Sequence, residues 1–355
     1  MHWSLFAFAG LALIFAHGLR LPTSGSRWMG VLVFIASLLI TAFAIKVFAG
    51  RADIGRTTDF DRITNHAAAQ AQQTDAPLIL FTGASYSRNA IDPERLTIAL
   101  TERGYNFRVL NLSLEAASIL ERDQHLQQFI NQSGEVPAFV FIEVAQAFDY
   151  NAAFMFSNSK FNARAIEQFD IPTTLRTLAG ISEGACGGTV ACLKDTGFLG
   201  LHSALNVFNV GLIGRGEASS EAGLTASYDP QYKQRLESRP EDVETILPVT
   251  EQAVPRWATS YRTLMRERLQ AQSVSVVGYY QPPVQPADQR MYVEALCQTE
   301  LQAEFCLSAD HSELLQKLSG DVWFDRDHLL DNGAAIYTLW LAEQLIQSGV
   351  LEDPK

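Results

Sequence analysis

The residues best suited to chemistry are a serine and a histidine that lie far apart in the chain. Ser85 follows the apolar run Leu78–Phe81 and two small residues, which is typical of a serine just past the end of a buried strand. His328 lies three residues after Asp325, so the Asp325 carboxylate can reach one nitrogen of the imidazole ring. A serine becomes nucleophilic when a base accepts its proton and a third group orients that base. The sequence therefore predicts Ser85 as nucleophile, His328 as base and Asp325 as orienting acid.

Each of these two patterns also has a simpler interpretation. A serine after Gly-Ala can be an ordinary turn residue, and an Asp-X-X-His segment can be a hydrogen-bonded pair in a surface loop. A metal site built from Asp325, Asp327, His328 and Asp331 is a third alternative. It lacks the twelve-residue spacing and the closing Glu of a calcium loop, so no metal is expected.

The elements that must position these residues alternate between strands and helices. The segment 138–144 is almost continuously apolar, as a parallel strand buried on both faces should be. Asp92-Pro93 is a helix start, since a capping Asp precedes a Pro at the first helical position. Strands are predicted at 78–81, 107–112, 138–144 and 274–278, with a loop at 279–283 and a last helix at 334–346. This order predicts an α/β fold with a three-layer α/β/α parallel sheet.

Two apolar segments, 3–21 and 28–48, precede this domain and are predicted to form a transmembrane helical hairpin. A signal sequence or signal anchor is the alternative, which the lack of a basic n-region and the second apolar segment disfavour. Residues 51–76 are polar and are predicted to be a linker, helical or loose. The remaining residues, 77–355, are predicted to form one domain with an insertion at about 150–250. Residues 321–324 are expected to form a short strand or a turn.

The positive charges around the two apolar segments do not decide their orientation alone. Arg20 and Arg27 lie between the segments, which favours a cytoplasmic loop with both ends outside. Lys46, Arg51 and Arg56 follow the second segment and favour the opposite orientation. The net charge of −12, with no long run of Lys or Arg, disfavours a nucleic-acid partner.

The four cysteines favour an oxidising compartment. They form two close pairs, Cys186 with Cys192 and Cys297 with Cys306. Two local disulfides are the favoured interpretation, with free thiols as the alternative. The spacings of the two cysteine pairs do not match those of zinc-binding cysteines. Together with the loop arginines, this places the domain outside the cytoplasm.

Gly83-Ala-Ser85 near the front and Asp325-Arg-Asp-His328 near the back resemble the first and last blocks of the SGNH (GDSL-type) hydrolase superfamily. The resemblance covers about residues 77–347 and implies a flavodoxin-like SGNH fold with Ser85, His328 and Asp325 as the catalytic triad. It implies no cofactor. The family's oxyanion-hole Gly has no counterpart here, so Ser113 or Ala116 takes its place beside the Ser85 N–H. The family's Asn corresponds most closely to Gln146.

Within the superfamily, Thr82-Gly-Ala-Ser-Tyr-Ser87 is similar to the motif of alginate O-acetylation proteins, and the membrane-anchored layout is similar to theirs and to that of teichoic-acid D-alanylation proteins. The resemblance implies a bacterial inner-membrane protein with a periplasmic domain that receives acyl groups from a membrane-bound O-acyltransferase. Ser85 would then pass the acyl group to a polysaccharide hydroxyl. Arg88, Asn89 and Tyr280 are candidate substrate-binding residues at the cleft, although bracing of the turn by Arg88 and Asn89 and ordinary packing by Tyr280 are the favoured roles.

We therefore expect a membrane-anchored polysaccharide acyltransferase. An acetyl esterase of the same fold is the first alternative. The second is a catalytically degenerate domain that binds glycan or serves as a scaffold in an export complex, because the oxyanion residues depart from the family pattern.

Overall fold

The computed structural model of this 355-residue chain describes residues 59–72, 75–115, 117–145, 256–285, 287–299, 303 and 305–352, together with residues 36, 37 and 190. Apart from those three residues, the predicted membrane segments at 3–21 and 28–48 and the insertion at 150–250 lie outside the described residues. Within the described ranges, none of the helices is long and apolar enough to cross a membrane.

The described residues form a five-stranded sheet in the order β2-β1-β3-β4-β5, and every neighbouring pair is parallel. The strands are β1 Leu78–Thr82, β2 Arg108–Asn111, β3 Phe139–Glu143, β4 Val276–Tyr280 and β5 Cys306–Leu307. The predicted α/β class is thus confirmed. This is a doubly wound order, in which the chain changes direction across the sheet between β1 and β3.

Eight helices accompany this sheet in the described residues. They are α1 Asp59–Ala71, α2 Ser85–Ala90, α3 Pro93–Glu102, α4 Ile119–Ser133, α5 Arg256–Ala271, α6 Ala287–Thr299, α7 Ser312–Lys317 and α8 Asp331–Gln347. Buried residues of α1, α4, α5 and α6 join one hydrophobic cluster with one face of the sheet. Buried residues of α3, α7 and α8 join a second cluster with the other face. The sheet therefore lies between two helical layers.

The continuous apolar character of β1 follows from this double burial. Leu78 and Leu80 belong to one cluster, whereas Ile79 and Phe81 belong to the other. Successive side chains of a strand point to opposite faces, so a strand covered on both sides needs apolar residues at every position. All four of these side chains are fully buried.

The strand β4 differs from its prediction. It begins at Val276 and continues through Tyr279 and Tyr280, which had been expected to form a loop. Both tyrosines are fully buried, one in each cluster. Their rings fill the two sides of the sheet, and their hydroxyls hydrogen-bond inside the protein.

The predicted linker at 51–76 also needs correction. It contains α1, which packs against α4 through Ile63, Ala67 and Ala71. All three side chains are at most 2% exposed. Burial of one face makes this helix part of the domain, because most helical stability in proteins comes from such packing.

A disulfide joins Cys297 in α6 to Cys306 in β5, as the spacing of this pair predicted. The bond fixes a helix to the edge strand, which is only two residues long. Cys186 and Cys192 lie outside the described residues. No strand was predicted at β5, because two residues carry no periodic signal. Of the segment predicted as a strand or turn at 321–324, only Trp323 makes a bridge, with Leu329.

Candidate active site

The predicted nucleophile lies at the carboxyl end of the sheet. Ser85 is the first residue of α2 and follows closely on the end of β1 at Thr82. In a doubly wound sheet, ligands bind in the crevice outside the carboxyl ends of the strands where the chain changes direction. The strand β1 borders that point, so Ser85 stands where such a fold binds its ligands. Its side chain is 8% exposed.

Ser85, His328 and Asp325 form one continuous hydrogen-bond chain. Ser85 Oγ lies 2.9 Å from His328 Nε2. The other ring nitrogen, Nδ1, lies 2.9 Å from Asp325 Oδ1 and 2.8 Å from Oδ2. A carboxylate can only accept, so it assigns the proton of the neutral ring to Nδ1 and leaves Nε2 to accept from the serine. The fold thus brings together the three residues that the sequence predicted to act together.

A tight loop holds His328 in this position. Trp323 and Leu329 form an antiparallel bridge at its base, and the Phe324 N–H donates to His328 O at 2.9 Å. Asp325 Oδ1 accepts the backbone N–H groups of Asp327 and His328, each at 2.8 Å. The carboxylate therefore fixes both the loop and the imidazole.

Two opposing effects act on the Asp325 carboxyl. Burial raises its pKa, but the hydrogen bond and charge of His328, with the backbone bonds from Asp327 and His328, outweigh burial. The pKa of Asp325 is lowered from its ordinary value as a result. Asp325 is consequently ionised at neutral pH, as an orienting acid requires.

Tyr86 lies beside the imidazole, and Asp327 lies in the loop that carries it. The Tyr86 ring lies 5.2 Å from the His328 ring. Burial raises the pKa of Tyr86, as do the carboxylates of Asp327, Glu143 and Asp325, so it remains a neutral phenol. Burial also raises the pKa of Asp327, and the charge of Asp325 adds to the effect. One oxygen of Asp327, Oδ1, is buried without a hydrogen-bond partner among the described residues.

A second buried carboxylate lies beneath the nucleophile turn, which comprises residues 83–87 around the predicted nucleophile Ser85. Glu143 ends β3 and is fully buried. Its Oε2 accepts from the Ala84 N–H at 3.0 Å, from the Ser87 N–H at 3.2 Å and from the Ser87 hydroxyl. Its Oε1 forms an ion pair with Arg122 Nη2 at 2.9 Å. The sequence signal of this cluster is a lone carboxylate at the end of a wholly apolar strand, and no local pattern points to Ser87 or Arg122.

Tyr280 belongs to this buried cluster and does not line a cleft. Its hydroxyl donates to Ser87 Oγ at 2.7 Å, and its ring stacks edge-on against Phe81. Burial and the charge of Glu143 raise the pKa of Tyr280. The candidate substrate-binding role of Tyr280 is therefore wrong: a fully buried ring cannot stack on a sugar.

Arg88 and Asn89 are also interior residues. They are 1% and 3% exposed, so neither presents a surface to an acceptor. Asn89 Nδ2 donates to Ser85 O at 2.7 Å and braces the first turn of α2. Of the two roles left open by the sequence, the structure favours bracing for Asn89.

Of the four residues predicted to form the oxyanion hole, the structure describes Ser85 and Ser113. The Ser113 N–H donates to the Asn111 side chain at 3.0 Å, so this backbone group is already used. The expectation that it serves an oxyanion is not met. Ala116 and Gln146 lie outside the described residues. The Ser85 N–H has no hydrogen-bond partner in the described part of the chain, which leaves it as the available donor.

Fold and site together define a doubly wound α/β protein with a Ser–His–Asp hydrogen-bond chain at the carboxyl edge of its parallel sheet. Comparison of this chain with models of known protein families finds no match, and comparison with curated proteins finds none either. Within the described residues, no group of His, Cys, Asp and Glu side chains could hold a metal ion.

Proposed function

We propose that this protein is a serine acyltransferase of the SGNH type, anchored in the bacterial inner membrane with its α/β domain on the periplasmic side. It transfers an acyl group, such as acetyl, to hydroxyls of a cell-envelope or exported polysaccharide. The observation that carries the proposal is the 2.9 Å contact between Ser85 Oγ and His328 Nε2, with Asp325 on the other ring nitrogen. The strand order 2-1-3-4-5, which is that of flavodoxin-like folds, supports the fold assignment.

The first half of the reaction acylates the serine. Ser85 Oγ attacks the carbonyl carbon of an ester or thioester donor while its proton moves to His328 Nε2. The oxyanion that forms accepts a hydrogen bond from the Ser85 N–H. The tetrahedral intermediate collapses, the bond to the donor's leaving group breaks, and that group takes the proton from Nε2. The product is an acyl ester of Ser85.

The second half transfers the acyl group to the acceptor. A polysaccharide hydroxyl gives its proton to His328 Nε2 and attacks the acyl carbonyl carbon. The bond to Ser85 Oγ then breaks, and Oγ takes the proton back from Nε2. If water takes the place of the sugar hydroxyl, the same residues act as an esterase, so the accessible acceptor decides between the two reactions.

Anchoring, location and partner rest on the sequence. The two apolar segments support a transmembrane hairpin in the lipid bilayer. The Cys297–Cys306 disulfide supports an oxidising compartment, because such bonds are rare in the cytosol. A membrane-bound O-acyltransferase is the proposed acyl donor partner, as the resemblance implies.

Covalent labelling tests the catalytic proposal. A fluorophosphonate probe should phosphonylate the purified protein at Ser85: the Oγ–P bond forms, the P–F bond breaks, fluoride leaves and His328 takes the proton. Ser85→Ala should not label. If the folded wild-type protein does not react with the probe, the proposal of a serine enzyme is contradicted. The alternative of a catalytically degenerate glycan-binding domain is then favoured.

An acceptor assay separates transferase from esterase. The protein is incubated with p-nitrophenyl acetate, with and without an oligosaccharide acceptor, and nitrophenol, acetate and acetylated sugar are measured. A transferase should divert acetyl from water to sugar, whereas free acetate in unchanged yield indicates an esterase.

A further inference from the structure

We infer that Glu143 is a positioning residue that holds the nucleophile turn in its reactive geometry. The inference rests on the proposed function, because it concerns how Ser85 is presented to His328. Glu143 does not touch Ser85 Oγ. It acts through Ala84, which precedes Ser85, and through Ser87, which lies two residues after it.

The contacts of one oxygen atom account for this role. Glu143 Oε2 receives the Ala84 N–H, the Ser87 N–H and the Ser87 hydroxyl. These donors bracket Ser85, so the carboxylate fixes the start of α2 from beneath. The first N–H groups of a helix have no partner within it. Glu143 takes two of them, at Ala84 and Ser87, and the Ser85 N–H between them is not a donor to this carboxylate.

The turn can approach this carboxylate so closely only because residue 83 is a glycine. A Cβ placed on Gly83 would lie 2.5 Å from Glu143 Oε2 and 2.6 Å from Ser87 Oγ. Real carbon–oxygen contacts are not this short. The glycine before the nucleophile therefore provides room for the carboxylate, in addition to allowing a tight turn.

Glu143 Oε2 faces hydrogen-bond donors, and Oε1 faces the Arg122 cation at 2.9 Å in an ion pair that lacks hydrogen-bond geometry. Arg122 lies against Oε1 and also donates from Nη1 to the Glu143 backbone oxygen at 3.1 Å. On the other side, Tyr280 donates to Ser87 Oγ, which leaves the Ser87 hydroxyl proton for Oε2. A glutamine at 143 has nearly the same shape, but either orientation places its NH₂ against donors. Glu143→Gln therefore removes part of the hydrogen-bond acceptor capacity at this position while the volume of the side chain stays nearly the same.

The rest of α2 is held independently. Asn111 Nδ2 donates to Ser87 O at 3.1 Å and to Ile91 O at 3.0 Å, and Thr338 Oγ1 donates to Ala90 O at 3.1 Å. Loss of the Glu143 bonds should therefore loosen the first turn of α2 while its last turn remains in place. A displacement of about 1 Å in a reacting group can reduce a rate by about 100-fold.

The test compares Glu143→Gln with a matched control, Asp123→Asn. Asp123 is also a buried carboxylate. It accepts a hydrogen bond from Tyr261 Oη at 2.6 Å and forms an ion pair with Arg268, and both partners belong to α5 rather than to α2. Fluorophosphonate labelling of Ser85 and thermal unfolding are measured for the full-length protein. Glu143→Gln should lower the first-order labelling constant by about 10- to 100-fold with little change in probe affinity. Asp123→Asn should lower Tm but label at the wild-type rate.

The pH profile tests whether Glu143 acts on the position of Ser85 rather than on the base. Glu143 does not contact His328, so the pH midpoint of labelling should be the same in Glu143→Gln and wild type. If Glu143→Gln fails to fold, Ser87→Ala replaces it, since this variant removes only the bridging hydroxyl and should slow labelling about 3- to 10-fold.

The outcomes are distinguishable. Wild-type-like labelling by the Glu143 or Ser87 variant overturns the positioning role and leaves the proposed function intact. Labelling that falls in both Glu143→Gln and Asp123→Asn in proportion to Tm also overturns it. Absence of labelling in the wild type overturns the proposed function and the positioning role together.

Discussion

The Asp325→Asn substitution should abolish most of the reactivity of Ser85 while leaving the loop folded. The amide oxygen of the new side chain can still accept the backbone N–H groups of Asp327 and His328, which lie 2.8 Å from Asp325 Oδ1. The amide NH₂ then faces His328 Nδ1. Because this amide donates, Nδ1 must accept, and the ring proton moves to Nε2.

A proton on Nε2 prevents His328 from taking the proton of Ser85, which lies 2.9 Å away. The same tautomer change in a serine protease triad lowers kcat about 10⁴-fold. We expect a fall of about 10³- to 10⁴-fold in Ser85 labelling, equivalent to about 4 to 5.5 kcal/mol of lost transition-state stabilisation at about 1.4 kcal/mol per tenfold.

The assay is the second-order rate of fluorophosphonate labelling, with Tm as the check on folding. Asp327→Asn is the matched control, since Asp327 lies in the same loop and the hydrogen bonds to the His328 ring come from Asp325. Asp327→Asn should retain most of the labelling. Near-wild-type labelling by a folded Asp325→Asn protein would refute the orienting role assigned to Asp325.

Three further predictions concern stability and packing. Asp327→Asn should raise Tm at pH 7, because the raised pKa of Asp327 penalises its ionised form; the gain should vanish in acid melts once the pH falls below the ordinary carboxyl pKa of about 4, and a pH-independent gain would contradict this. Replacing Cys297 and Cys306 by Ser opens a loop with a sequence separation of 9 and should cost about 2.5 kcal/mol in denaturant titrations, whereas an unchanged midpoint would show that the bond does not form. Gly83→Ala should cost about 1 to 3 kcal/mol in the same titrations and slow Ser85 labelling, since its Cβ would meet Glu143 Oε2 at 2.5 Å; a neutral result would show that the turn can move away.

The sequence was sufficient for the order of the elements because burial on both faces makes parallel strands visible as apolar runs. The observed ends of β1 and β3 lie within one residue of their predicted bounds. Tyr279 and Tyr280 were misplaced because tyrosines before a Gln-Pro-Pro segment also fit a loop. The helix α1 was not assigned to the domain, since its apolar face consists mainly of Ile63 and alanines.

The Ser85, His328 and Asp325 chain could be predicted because each residue belongs to a short local pattern. The cluster around Glu143 could not, because it joins two strands and two helices. Only the parallel pairing of β3 with β1 and β4 brings Glu143 beneath Ser87 and Tyr280. Arg122 enters from α4, whose start is fixed by a capping box between Ser118 and Glu121. Contacts of this kind depend on strand order, which has no local signal.

The sequence separation of 243 between Ser85 and His328 also orders events in time. A chain is synthesised from its N-terminus, and its first segments appear long before its last. The nucleophile strand β1 is complete early, but α2 and α3 pack against α8, which ends at Gln347. A nascent chain interrupted before His328 carries Ser85 without a base and without the helix that covers its surroundings. The proposed reactivity of Ser85 therefore requires the completed fold, and we expect an unfinished chain not to react with acyl esters.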